Sequence, residues 1–154
     1  MPVKEMSSEE IERFLTCARV GRLGIYVEDE VHIFPVGYVY SDGRIFFHTC
    51  KKGLKIEGIK NNNNVCFEVD ESLSDASMYN SVMAFGTVNI IDDKEKMVPY
   101  MQALINKYRV PEPLDVYMKK RDRSIDGELE VSCICLITPK KITGRKYIKD
   151  KIEI

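Results

Sequence analysis

The sequence predicts a mainly β domain, in which six short strands form a closed or nearly closed antiparallel barrel with helices inserted between some of them. Runs rich in β-branched and aromatic residues recur at hairpin spacing. The first three runs follow one another without room for crossover helices, which disfavours a doubly wound parallel sheet. Between the second and third runs, Ser41-Asp42-Gly43 supplies the positive φ values of a tight hairpin. An α+β sandwich is the alternative architecture.

Six runs are predicted to be strands. In chain order they span Val20–Val27, Val31–Tyr40, Arg44–Thr49, Val65–Val69, Ser81–Ile91 and Glu128–Thr138. Pro139 then separates the last run from a short segment, Ile142–Ile148, because proline cannot donate to a strand ladder. The sequence contains neither a linker nor an internal repeat, and 154 residues suit one domain. We therefore expect a single domain over residues 1–154.

Four helices are predicted, over Ser8–Ala18, Lys51–Lys60, Asp92–Tyr108 and Pro113–Lys120. The first begins at a capping box, in which Ser7 and Glu10 satisfy each other's backbone N–H groups. The third keeps apolar residues at helical spacing, although Pro99 lies inside it and predicts a later start or a kink.

Composition excludes several classes of protein. With 23 basic and 24 acidic residues, the chain lacks the positive charge of a typical nucleic-acid-binding protein. It has no apolar run long enough to cross a membrane and no apolar leader after Met1, so we expect a cytoplasmic protein without a membrane partner. The five cysteines are odd in number and lack a C-x-x-C spacing, which predicts buried, reduced thiols and no metal site.

The turn from the third strand into the second helix is the most informative segment. The strand delivers the hydroxyl of Thr49, and Lys51, Lys52 and Lys55 then fall in the first turns of the predicted helix. Cations are disfavoured there because the helix N-terminus is already partly positive. An anion such as a phosphate would remove the conflict, and Gly53 would permit its close approach. The alternative is three solvated lysines on a surface helix.

Residues 21–71 resemble the first half of the FMN-binding split-barrel superfamily, which includes pyridoxamine 5′-phosphate oxidase. The similarity lies in GRLG (residues 21–24), in Pro35 ahead of Tyr38, and in FHT followed by KKGLK (residues 47–49 and 51–55). NSVMAFGTV (residues 80–88) is similar to a later strand that ends in an aromatic-glycine pair. The pattern is most similar to the Nim (nitroimidazole-resistance) branch. The resemblance implies a six-stranded antiparallel split β-barrel with Greek-key topology and peripheral helices.

The resemblance implies a phosphate site on the strand-to-helix turn. Thr49 matches the hydroxyl residue that hydrogen-bonds the FMN phosphate, and Lys55 matches a phosphate-binding lysine on the following helix. Lys52 matches less clearly and is expected to assist. FMN is therefore the cofactor that the resemblance predicts.

The resemblance also implies contacts to the isoalloxazine ring. Val36 and Tyr38 match the strand whose backbone runs along the ring, and His48 matches a histidine near the flavin or substrate, which makes it the candidate catalytic residue. Ser81 matches the position from which the second subunit reaches the flavin. Small barrels fill their interiors with side chains, so FMN is expected at an outer surface covered by the partner of a homodimer.

Two functions remain open on these residues. The first is an FMN-dependent oxidoreductase, similar to nitroreductases, that transfers electrons from NADH or NADPH to a small acceptor. The second is a non-catalytic carrier or sensor that binds flavin or haem, with His32 or His48 as an axial ligand. Pyridoxamine oxidation is not expected, because the Arg-x-Val-Leu-Leu-Lys strand and the C-terminal arginine motif of the oxidase are both absent.

Overall fold

The structure, a computed structural model, describes residues 3–109 and 111–149; residues 1, 2, 110 and 150–154, including both ends of the predicted 1–154 domain, lie outside it. The described strands are β1 (Val3–Glu5), β2 (Gly21–Val27), β3 (Glu30–Val36), β4 (Val39–Ser41), β5 (Arg44–Cys50), β6 (Asn64–Ser72), β7 (Met78–Ile91) and β8 (Ser132–Ile148). The helices are α1 (Ser8–Cys17), α2 (Leu54–Asn61), α3 (Lys94–Tyr108), α4 (Leu114–Lys120) and α5 (Ile125–Val131). A mainly β fold with peripheral helices is confirmed, but it has eight strands rather than the six predicted.

The strands form one antiparallel sheet in the order β3-β2-β6-β7-β8-β5-β4, and β1 pairs with the last part of β8. In the described part of the chain, no backbone ladder joins the two edge strands β3 and β4. The chain nevertheless passes from one edge to the other through only two residues, Gly37 and Tyr38. The edges therefore meet at this short connection, and the barrel is split there.

Two apolar cores lie on opposite faces of β5. Phe47 and its neighbours fill the barrel interior, whereas Phe46 belongs to a second core against the helices. This alternation follows from the strand period of two. The second core is completed by buried residues of α3, among them Met97 and Met101. Helices α3 to α5 are thus held on the outer face of β5 and β8.

The last predicted strand begins later than the sequence suggested. Glu128–Val131 belongs to α5, whose N-cap Ser124 accepts a hydrogen bond from the backbone of Gly127 at 2.9 Å. Lys94 holds α5 from a distant part of the chain, through an ion pair of 2.8 Å with Asp126. None of the helices in the described ranges combines the length and the apolar character needed to cross a bilayer.

Strand β8 continues through Pro139 instead of ending there. Pro139 lies opposite Gly86, and the next pair joins Lys141 to Phe85, so Lys140 forms a bulge. A bulge accommodates a proline because the ladder needs no N–H at that point. The segment predicted to follow the strand is therefore part of it.

The burial of the cysteine side chains varies more than expected, although all five thiols are free. Cys133 and Cys135 are buried in the barrel, as predicted. Cys17 and Cys50 are exposed, so the expectation of buried thiols is wrong for these two.

Candidate functional site

A cavity of about 460 Å³ opens where β3, β5, α2 and the helices α3 to α5 converge. Its walls are formed by Pro35, Val36 and Gly37 of the split; by His48 and Lys55; by Met101, Leu104, Ile105, Tyr108 and Arg109 at the end of α3; and by Tyr117, Met118, Arg123 and Glu128. Three of the residues predicted for the site, Val36, His48 and Lys55, therefore line one cavity.

Strand β5 presents His48 and Thr49 on opposite faces. His48 is paired with Ile134, a residue of the second core, whereas Thr49 is paired with Cys133 of the barrel interior. Residues paired directly across an antiparallel ladder point to the same side. His48 thus lies on the helical side of the strand, and Thr49 lies on the barrel side.

His48 is exposed to solvent and lines the cavity. Partial desolvation lowers the pKa of its imidazole, and the positive charge of Lys55 acts in the same direction. The carboxylate of Glu128 opposes both effects. The lowered pKa favours the neutral imidazole, which can accept a proton or donate one hydrogen bond.

Lys55 and Thr49, the residues predicted to bind an anion, lie next to each other. The Lys55 ammonium group lies 3.5 Å from the Thr49 hydroxyl, which is the outer limit of a hydrogen bond, and 5.2 Å from the centre of the Phe34 ring. Within the described ranges, no carboxylate lies within 4 Å of Lys55. Both its charge and the Thr49 hydroxyl are thus available to an anion.

Helix α2 begins three residues later than predicted. Its N-cap is Gly53, with a φ of 130° that favours glycine, and its first helical residue is Leu54. Lys51 and Lys52 therefore precede the helix, and only Lys55 of the three lysines lies in its first turn. Lys52 is exposed and does not line the cavity.

Three further predicted residues lie outside the cavity: Thr49, which is on the barrel side of β5, Tyr38 and Ser81. Tyr38 is fully buried, and its hydroxyl donates a 2.6 Å hydrogen bond to the carbonyl of Leu15, so its side chain points away from the cavity. Ser81 lies on the outer face of β7, beside a separate hollow of about 400 Å³ that also involves Phe85 and Arg145. Within one subunit, Ser81 is not part of the site.

The end of α3 is joined to the split in the barrel. The Tyr108 hydroxyl accepts a hydrogen bond from the backbone nitrogen of Tyr38 at 2.7 Å. The Lys107 ammonium group donates to the carbonyls of Ala18 and Tyr38, at 2.6 and 2.9 Å. Burial lowers the pKa of Lys107 to about 8. These contacts hold the Gly37-Tyr38 connection, which directly follows Val36, against the end of α3.

Sequence reasoning missed the wall formed by Tyr108, Arg109, Tyr117, Arg123 and Glu128. Apolar spacing identified α3 and α4, but it gives no indication of which helix ends face β5. Glu128 lies in the part of α5, Glu128–Val131, for which the sequence predicts a strand. The available signal was the position of Arg109 after α3 and of Arg123 after α4. Charged residues at such positions are usually solvated, so this signal is weak.

Comparison with known proteins agrees with this architecture. The family model described as pyridoxamine 5′-phosphate oxidase matches residues 7–146. A candidate 5-nitroimidazole antibiotic resistance protein from Bacteroides thetaiotaomicron has 20% identity and a TM-score of 0.76, over 95% of this chain and 89% of that one. A FAD-binding protein from Mesorhizobium loti has 23% identity and a TM-score of 0.71, over 95% and 99%.

A third solved structure, the flavocytochrome Anf3 from Azotobacter vinelandii, has 11% identity and a TM-score of 0.78. The match covers 99% of this chain and 72% of that chain. At these identities the three structures establish a shared fold. No curated protein matches the sequence at a significant level.

Proposed function

Because the chain belongs to the pyridoxamine 5′-phosphate oxidase family, we propose that it binds FMN in the cavity beside β5 and transfers electrons from NADH or NADPH to a small acceptor. One observation carries this proposal. Val36, His48 and Lys55, which the resemblance assigns to different parts of a flavin site, are separated in sequence but line the same cavity.

The residues present fit the phosphate of FMN. A phosphate dianion requires a cation and hydrogen-bond donors that are not already neutralised, and Lys55 with Thr49 offers both. The two groups are already oriented toward each other, because the rings of Phe34 and Phe47 hold the lysine ammonium at 5.2 and 5.9 Å. Little reorganisation is needed for an anion to bind there.

The other walls suit a flat, largely apolar ring. Pro35 and Val36 provide one side, and buried residues of α3 such as Leu104 provide another. His48 projects from β5 into the same space as a hydrogen-bonding group whose lowered pKa favours its neutral form. The chemistry supplied by bound FMN would be acceptance of a hydride from the nicotinamide and return of two electrons to the acceptor. The role of His48 is to orient the acceptor or exchange a proton with it.

The proposed class of acceptor rests on two observations: the missing oxidase strand motif and the similarity in fold to a candidate nitroimidazole resistance protein. Phe34-Pro35-Val36-Gly37-Tyr38 stands where the oxidase has its Arg-x-Val-Leu-Leu-Lys strand, so oxidation of a pyridoxamine is not proposed. Similarity in fold to a candidate nitroimidazole resistance protein supports a nitro compound as acceptor. The sequence has no Gly-x-Gly-x-x-Gly motif, so the nicotinamide would bind transiently, without a Rossmann domain.

The outer face of the sheet supports a homodimer. One register row crosses β3, β2, β6 and β7 through Ile33, Gly24, Cys66 and Phe85. Ile33 is 65% exposed and Phe85 is 38% exposed in the single chain. Such a contiguous apolar strip favours cover by another protein surface. Ser81 lies on the same outward face of β7 as Phe85, so we propose that it reaches the partner's flavin from this face.

The absorption spectrum of the purified protein tests the proposal. We expect the absorption bands of an oxidised flavin, a released chromophore with the mass of FMN rather than FAD, and oxidation of NADH or NADPH when a nitro compound is added. A Soret band would instead identify a haem protein. A flavin spectrum without turnover, under any nicotinamide and acceptor, would favour the carrier function.

A further inference from the structure

The helical wall of the cavity carries positive charge that the flavin phosphate site does not explain. Arg109 follows the last residue of α3, and Arg123 lies between α4 and α5; both line the cavity. They come from the helical side, whereas Lys55 packs against the barrel residues Phe34 and Phe47. The cavity therefore has cations on two structurally separate walls.

These two arginines differ in their partners. Arg123 lies 3.9 Å from the Glu128 carboxylate, a long contact for an ion pair. For the Arg109 guanidinium, no carboxylate lies within 4 Å anywhere in residues 3–109 and 111–149. The wall thus presents one unpaired and one weakly paired guanidinium against a single carboxylate. Guanidinium groups bind carboxylates in a two-pronged geometry, which makes them selective for that anion shape.

The surface beside the arginines is apolar and aromatic. Met101, Leu104 and Met118 are buried residues that form part of the cavity wall. Tyr117 adds a ring, which the Arg121 guanidinium holds in place from 3.6 Å. An apolar surface with adjacent guanidinium groups is complementary to a molecule that has an apolar body and one anionic end.

We propose that this half of the cavity binds a small carboxylic acid with an apolar body, and that Arg109 holds its carboxylate. The inference rests on the proposed function, since it places the apolar body of the acid beside the flavin, where a nitro group on that body would be the group reduced while the carboxylate is only held. It names a substrate class, a compact aromatic or aliphatic acid, and it assigns Arg109 to ligand specificity rather than to the cofactor.

Benzoate and benzyl alcohol are matched probes, because they differ mainly in the anionic group. Calorimetric titration of the protein as purified should give binding of benzoate at least tenfold tighter than binding of benzyl alcohol. R109Q should weaken benzoate about tenfold or more, the factor for loss of a charge-assisted hydrogen bond, and leave benzyl alcohol unchanged. R109K, which retains the charge, should recover part of the loss. The control R13Q removes an exposed arginine that does not line the cavity.

A titration with FMN separates this inference from the proposed function. If R109Q weakens FMN binding as much as K55A does, Arg109 belongs to the cofactor site and the inference is wrong. Equal affinity of the wild-type protein for benzoate and benzyl alcohol would also overturn it. If instead FMN does not bind to the wild-type protein while benzoate binds through Arg109, the acid site stands and the flavin function fails.

Discussion

The hydroxyl of Tyr108 lies 2.7 Å from the backbone nitrogen and 2.8 Å from the backbone oxygen of Tyr38. It also lies 2.6 Å from the carbonyl oxygen of Arg19. With one proton, the hydroxyl accepts from the nitrogen and donates to one carbonyl at a time. The Tyr108 side chain thereby connects the end of α3 to Tyr38 in the split and to Arg19 in the segment before β2.

Tyr108→Phe should lower the free energy of unfolding by about 1–3 kcal/mol, because it leaves the partly buried N–H of Tyr38 without its partner. Urea denaturation followed by circular dichroism measures the loss. Tyr100→Phe is the matched control, since Tyr100 lies on the same helix and packs its ring against Phe46. Equal stability of the two variants would show that the Tyr108 hydroxyl does not hold the split.

His48 should make the stability of the protein depend on pH. Burial lowers its pKa in the folded state, whereas the unfolded chain titrates near the ordinary value of about 6.5. Below that value the unfolded chain binds a proton that the folded chain does not, so the free energy of unfolding falls as pH falls toward the folded pKa. His48→Gln should flatten this part of the stability profile.

His32→Gln is the control for this measurement, because His32 lies outside the cavity, on β3. Chemical denaturation between pH 7.5 and pH 5 provides the comparison. If His48→Gln retains the full wild-type dependence on pH, the imidazole is not desolvated in the folded protein.

Gly86 should tolerate no side chain. A Cβ at this position would lie 2.8 Å from the Cα of Pro139 and closer still to the Thr138 carbonyl, and both contacts are backbone atoms that cannot rotate away. We expect Gly86→Ala to cost about 3 kcal/mol or more, by forcing β7 away from β8. Gly43→Ala, where the space is open but φ is 74°, should cost only about 1 kcal/mol. Comparable thermal shifts for both variants would contradict this difference.

The apolar strip should be the dimer interface. Ile33→Glu places a charge at its most exposed position, which would be buried without a partner in the dimer. Sedimentation velocity at low micromolar concentration should show a dimer for the wild-type protein and a folded monomer for the variant, with weaker retention of FMN. Thr16→Glu on the exposed face of α1 is a control that should remain dimeric. A wild-type monomer with one FMN per chain would refute the shared site.

Local signals in the sequence predicted part of this fold correctly. Ser7 and Glu10 form both hydrogen bonds of the predicted capping box, at 3.0 and 3.2 Å, so the start of α1 is confirmed. Pro99 lies inside α3, which nevertheless begins at Lys94. The packing of its buried face against β5 and β8 outweighs the local cost of the proline.

The errors arose where distant contacts decide the structure. Helix α5 packs Leu129 into the second core and pairs Asp126 and Glu130 with Lys94, which is more than 30 positions away. The same limit applies to the site. Thr49 and Lys55 are close in sequence, and so their proximity in the structure could be predicted. Arg109 and Arg123 reach the cavity only through tertiary packing, which local patterns do not encode.

The central claim is that Lys55 anchors the FMN phosphate, and titration of FMN-free protein with FMN tests it most directly. Quenching of flavin fluorescence should show that Lys55→Ala weakens binding by about 1.5–3 kcal/mol, the loss expected for a charge-assisted hydrogen bond. Thr49→Val should cost about 1 kcal/mol, because its hydroxyl lies next to the Lys55 ammonium group, and Lys52→Ala should have little effect, because Lys52 is exposed and precedes α2. An unchanged dissociation constant for a folded Lys55→Ala protein would contradict the account.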